Sequence, residues 1–203
     1  MKTVTDVEAL ERLYGFPTKP SVLKVVDHIH PAYRPFIETS PFAVLATSGP
    51  EGLDVSPRGD PAGFIVIEDA RTLLLPDRRG NNRADSLRNI LTDPRVALLF
   101  LVPGVNETLR VNGRASIVVE PAMLERFTFE GKQPRSVLHI AVESVFFQCS
   151  RSLIRSELWN PARHVPRTAL PSNGAMLAAI SQDPFDGDEY DRELPARLKT
   201  TLY

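Results

Sequence analysis

Cysteine is nearly absent: Cys149 stands alone among 203 residues. That excludes an intramolecular disulfide framework and any metal site built from several thiolates, and it fits a reducing compartment. Long apolar runs are missing too. None approaches the roughly 18 residues that mark a membrane span. The opening stretch MKTVTDVEALERLYG carries acids where a secretory leader needs an apolar centre. A cytoplasmic protein without membrane association is expected. An excess of either charge is also lacking, with 24 Lys and Arg against 25 Asp and Glu, so no protein-wide electrostatic case exists for nucleic acid. The GxxxxGK and GxGxxG phosphate-binding fingerprints do not occur. The four histidines (His28, His30, His139, His164) are scattered, and a helical His28-x-His30 would point its rings apart, so no metal site is expected.

What is present is an ordinary globular balance, 42% hydrophobic and 24% charged. Thr5 to Tyr14 reads as a helix with capping-box spacing between Thr5 and Glu8 and an apolar face of Val7, Leu10 and Leu13. A second helix is expected from Ser21 through Ile29, broken by His30-Pro31, and a short helical turn from Tyr33 to Glu38. From Pro41 the texture changes to strands. Residues 42–48 and 53–60 flank a Gly-Pro-Glu-Gly turn, and 64–69 and 72–77 form the next hairpin. After a helix, residues 96–102 are apolar throughout, which predicts a strand covered on both faces. Leu109 to Val119 alternates apolar and polar residues, with Gly113 on the apolar side where a close approach or bend is expected. Pro121 to Phe127 reads as a short helix, 137–147 as the last long strand, 160–172 as irregular, and Ala175 to Ile180 as helical. The sum is an α+β protein, mainly β with flanking helices. About six antiparallel strands form a barrel, with one helix inserted between the fourth and fifth. A single domain over 1–203 is expected, with a helical extension at 1–40, a barrel core at 41–150 and a helical or irregular extension at 151–203.

The chemistry-bearing stretch is LPDRRGNNRADSLRNILTD, Leu75 to Asp93. A strand ends at Pro76, Gly80 turns the chain, and a helix is predicted from Asn82, with Asn82 as N-cap and Asp85 at the third helical position. Arg78, Arg79 and Arg83 thereby gather with free N–H groups at a helix N-terminus, which suits a phosphate. A capped, solvated turn reads the same residues equally well. Arg58, at a strand end in SPRGD, adds one cation within reach. A second cationic cluster, QCSRSLIR, places Arg151 and Arg155 at a strand-to-helix transition, either as a pocket wall or as an exposed edge. Cys149 beside it reads as a structural, partly buried thiol. No spacing of acids singles out a catalytic pair.

The segments FAVLATSGPEGLDVSPRGDPAGF, LLLPDRRGNNRADSLRNILTDPRVALLF and TLRVNGRASIV together resemble the pyridoxamine 5'-phosphate oxidase-like family of FMN-binding split barrels, over roughly residues 40–150. The resemblance implies an FMN-dependent oxidoreductase acting on a small molecule, a homodimer with FMN at the subunit interface, and ligands from both chains. It places Arg58 near the phosphate or ring edge, and Pro76 and Asp77 on the strand end that passes the cofactor. Asn82 and Arg83 stand where the family has Arg-Lys on the phosphate, so Arg78 or Arg79 would supply the missing cation, within the run that also holds Gly80 and Asn81. Thr108 falls near a flavin-contacting glutamine, and Arg151 belongs to the candidate pocket wall. The terminal Trp- and Arg-containing segment of true pyridoxamine phosphate oxidases has no counterpart here, which leaves the vitamin B6 reaction unsupported. A flavin-binding module without turnover, and haem binding through His139, are the alternative readings.

Overall fold

A computed structural model describes all 203 residues. The barrel is one antiparallel sheet of seven strands: β1 (Phe42–Gly49), β2 (Gly52–Gly59), β3 (Val66–Asp69), β4 (Thr72–Asp77), β5 (Arg95–Leu101), β6 (Thr108–Val118) and β7 (Ser136–Gln148). That is one strand more than expected. Their order is β2-β1-β5-β6-β7-β4-β3. β2 is one edge and β4 lies next to the other, yet Arg58 of β2 meets Asp77 of β4 at 2.6 Å. Only a strongly coiled sheet brings those strands together, so the curl leaves a split between its two edges.

Cross-strand pairs fill the interior. Leu45, Leu98, Val111 and Val145 face one another in register across β1, β5, β6 and β7, and all four are buried. Leu73, Ile140 and Ala115 form a second such row. Each pair removes apolar surface from water on one face, and period-two alternation sends the intervening residues outward. Gly113 sits at a register shift in the β6–β7 ladder. A Cβ there would lie 2.2 Å from the Ala141 carbonyl oxygen, so the expected close approach is present.

The helix inserted between the fourth and fifth strands is α4 (Asp85–Thr92), which packs Ile90 into the core against β1. Other helices flank the sheet: α1 (Val7–Tyr14), α2 (Lys19–Leu23), α3 (Arg34–Thr39), α5 (Pro121–Glu125), α6 (Arg151–Ser156), α7 (Asn173–Ile180) and α8 (Gly187–Thr201). Two 3-10 turns, Pro161–Arg163 and Arg167–Ala169, interrupt the proline-rich stretch expected to be irregular. No helix is long and apolar enough to cross a membrane.

Several sequence expectations are corrected. α1 is capped by Asp6, whose carboxylate accepts from the Ala9 N–H at 2.7 Å, and not by Thr5. The second helix stops at Leu23 because the β-branched Val26 bridges Val145 through two backbone bonds of 3.0 and 2.8 Å. His28 and His30 are therefore not helical, and their rings approach to 6.0 Å instead of diverging. β5 is covered on one face only: Val96, Leu98 and Phe100 are buried, while Ala97, Leu99 and Leu101 are half-buried. Cys149 is exposed, since the chain leaves the sheet at Gln148.

Candidate functional site

Where β2, the end of β4 and the start of α4 converge, the split holds a cavity of about 700 Å³. Arg58 and the run from Pro76 to Arg83 all line it, and Thr108 and Arg151 do not. Thr108 pairs with Gln148 at the far end of β7, whereas Ser136 at the near end pairs with Asp77. A straight strand of that length spans roughly 40 Å, so one chain cannot bring both ends of β7 to one small ligand. Arg151 lies just beyond Gln148, in α6.

The predicted helix start is corrected. Asn82 is left-handed (φ 63°), and its side chain accepts from Arg135 at 2.7 Å, so it caps nothing. The helix begins at Asp85 behind a left-handed Ala84 (φ 56°) with no side-chain cap. A non-glycine residue held in that region stores strain. Asn81 instead turns the loop, its side chain accepting from the Arg83 N–H at 3.1 Å. The N–H groups of Arg79, Gly80, Asn81 and Asn82 donate to no protein acceptor. Left-handed residues flank Arg83 at positions 82 and 84, just after the run of unbonded N–H groups.

The arginines play different parts. Arg78 is held inside the wall: Nε donates to Asp60 at 2.8 Å, Nη1 to the Phe127 carbonyl at 2.6 Å, and the guanidinium stacks against the Phe129 and Tyr203 rings. Arg58 gives Nη1 to Asp77 and keeps Nε buried without a partner. Arg83 is exposed and paired with Asp85 at 2.8 Å, which holds its guanidinium above the ordinary arginine range. Arg79 has no carboxylate partner at all. Two further wall residues, Arg135 and Tyr203, escaped the sequence reading. Arg135 sits in KQPRS and Tyr203 in KTTLY, where neither periodicity nor a motif marks them. Asp54 was also missed, and it accepts from the Ser86 hydroxyl at 3.0 Å, tying β2 to α4.

Chemically, the cavity presents guanidinium groups and free amides on the loop side, with Asp77 and Asp85 paired to arginines and Asp54 bonded to a hydroxyl. No three His, Cys, Asp or Glu side chains gather as a metal cluster. His139 lies on the outer face of β7, in register with Leu74, and does not line the cavity.

No curated protein matches the chain. Among solved structures it is similar to a HupZ variant from Group A Streptococcus, at TM-score 0.49 and 21% identity, covering 59% of this chain and 99% of that one. It is similar to General Stress Protein 26 from Bacillus anthracis at TM-score 0.44 and 14% identity, covering 56% and 88% respectively. An F420 reductase gives TM-score 0.41 at 22% identity, over 59% of this chain and 98% of that one. The sequence profile described as pyridoxamine 5'-phosphate oxidase matches residues 29–149, which spans α3, all seven strands and the loop that lines the cavity. On that match over more than half of its length, the chain belongs to the pyridoxamine 5'-phosphate oxidase family.

Proposed function

We propose that this protein is an FMN-dependent oxidoreductase acting on a small molecule. The observation that carries the reading is the set of unused donors in one cavity, beside Arg58: the free Arg79 guanidinium and the unbonded N–H groups of residues 79–82. Charge-assisted bonds from a guanidinium and several amides to one anion are stronger than bonds between neutral groups. A phosphate fits these donors, and the cavity volume falls in the range that holds a cofactor-sized ligand.

In this reading Arg79, Arg83 and the loop amides hold the phosphate. Arg58, oriented by Asp77, would lie near the phosphate or the ring edge. When bound, the flavin itself supplies the transfer of hydride or single electrons, and the protein positions it and excludes water. No acid or base of the chain is assigned to the chemistry. The wall groups with shifted titration are Arg83, paired with Asp85, and Tyr203, bonded to Asp60. That observation also favours a second reading, a flavin-binding module without turnover.

The reading includes a homodimer, because only a symmetry partner can carry Thr108 and Arg151 to this cavity. It takes residues 1–203 as one domain. The test is direct. Purified protein titrated with FMN is expected to bind about one equivalent with quenching of flavin fluorescence, and no binding refutes the proposal. Anaerobic mixing with NADH, NADPH or reduced deazaflavin then separates oxidoreductase from binding module: rapid bleaching of the flavin supports the first, and its absence the second.

A further inference from the structure

Tyr203 lies 143 residues from Asp60 in the chain, yet its hydroxyl donates to Asp60 Oδ1 at 2.7 Å. The other oxygen of that carboxylate, Oδ2, accepts from Arg78 Nε at 2.8 Å. Asp60 is almost completely buried, its side chain 3% exposed, so these two donors are what compensate its burial. The Tyr203 ring packs on Phe129 with centroids 4.7 Å apart, and Arg78 lies 5.8 Å from both rings. The Tyr203 carbonyl oxygen accepts from Lys132 at 2.9 Å. One residue thus clamps a buried carboxylate, an arginine and an aromatic ring at the root of the loop lining the cavity.

We propose that Tyr203 is a positioning residue for that loop. By closing the Asp60–Arg78 pair it fixes Arg78, and Arg78 is the residue from which the anion-facing segment 79–83 springs. The segment has few other anchors: the Asn81 turn, the Arg135–Asn82 bond, the exposed Arg83–Asp85 pair and the Arg88 Nε bond to the Arg83 carbonyl. Its donors face the cavity only while its root is held. The phenol suits this task. Its bond to Asp60, and then burial, hold its titration above the ordinary tyrosine range, so the hydroxyl remains a donor throughout neutral pH. The consequence for ligand rests on the FMN reading, while the effect on the loop does not.

The experiment compares wild type with Tyr203→Phe, which keeps the ring on Phe129 and removes only the hydroxyl, and with Tyr203→Leu, which removes both. Hydrogen exchange of the ligand-free proteins reads the loop directly. Exchange of the two bonded amides that report on the loop, Arg83 (to the Asn81 side chain) and Arg135 (to the Asp77 carbonyl), is expected to rise several-fold in Tyr203→Phe and further in Tyr203→Leu, with β5 to β7 unchanged. Unchanged exchange of the loop in both variants overturns the proposal, whether or not flavin binds. Global acceleration in Tyr203→Leu alone marks that variant as unfolding and leaves Tyr203→Phe to decide. The second measurement is the affinity ratio of FMN to riboflavin, which lacks the phosphate. Tyr203→Phe is expected to lower this ratio roughly tenfold. An equal loss for both ligands assigns Tyr203 a merely structural part. A wild-type protein that binds neither flavin refutes the FMN reading and leaves the exchange result to judge the positioning role.

Discussion

At the scale of single residues, neighbouring arginines in one loop have opposite fates. Arg78 is bonded on two nitrogens and lies beside the packed Phe129 and Tyr203 rings, so it serves the wall. Arg79 has no competing carboxylate, and Arg83 shares its charge with Asp85. Charge-assisted bonds contribute about 1.5–3 kcal/mol each, whereas an exposed pair is worth at most about 1 kcal/mol. Arg79→Ala is therefore expected to weaken FMN binding by one to two orders of magnitude with the melting temperature nearly unchanged. Arg83→Ala is expected to weaken it less, because its guanidinium must first leave Asp85. Fluorescence titration of both variants ranks them, and a larger loss in Arg83→Ala would reverse the assignment. Tyr203 adds a pH dependence. Its folded titration point is raised, so its stabilising bond is complete below the unfolded value near 10 and is lost only as pH rises through the folded value. Loop exchange, corrected for its intrinsic pH dependence, is expected to stay flat across neutral pH and rise above about pH 10.

Among the elements, the turn into α4 and the bend in β6 carry the backbone demands. A left-handed alanine costs about 1–2 kcal/mol, while glycine adds about 0.4–1 kcal/mol of unfolded-state entropy. Ala84→Gly is thus expected to stabilise the protein by up to about 1 kcal/mol, read as a higher urea midpoint at constant m value. Gly113 gives the opposite sign. An added methyl meets the Ala141 carbonyl at 2.2 Å inside the β6–β7 ladder, and backbone cannot yield as a side chain can. Gly113→Ala is expected to cost about 3 kcal/mol, and a variant within about 0.5 kcal/mol of wild type would show the ladder to be more pliant than its geometry implies. The Gly113 constraint was readable from the alternation around it. The Ala84 constraint was not, because alanine is the best helix former and nothing local marks it as left-handed.

For the molecule as a whole, the outer face of the sheet is unfinished. Val44 and Ala46 of β1, with Leu99 and Leu101 of β5, are only half-buried, and Leu53 and Val55 of β2 are exposed. These apolar residues form the face that the proposed homodimer would cover. Light scattering is expected to give twice the 22.6 kDa chain mass. Leu99→Glu is expected to shift the protein to monomer and to abolish high-affinity FMN binding if the partner supplies ligands. A monomeric wild type that still binds FMN tightly would remove the dimer from the proposal.

Much of the fold was legible in the chain because burial in a coiled sheet leaves a local signature. Leu109 to Val119 alternates along its length, and the turn after Ser48 carries a Gly-Pro-Glu-Gly break. The loop from Pro76 to Arg83 was legible too, through its density of arginine, asparagine and glycine. By itself the sequence determined the antiparallel β class, the inserted helix and the cationic loop, since these follow from periodicity and composition within a few residues. Only the tertiary structure decided which arginines remain available, where α4 begins, and that Asp60, Arg135 and Tyr203 belong beside that loop. Those outcomes depend on partners far away in sequence. A carboxylate at 60 claims Arg78, and an arginine at 135 draws the Asn82 side chain away from the helix, pairings that local pattern cannot encode.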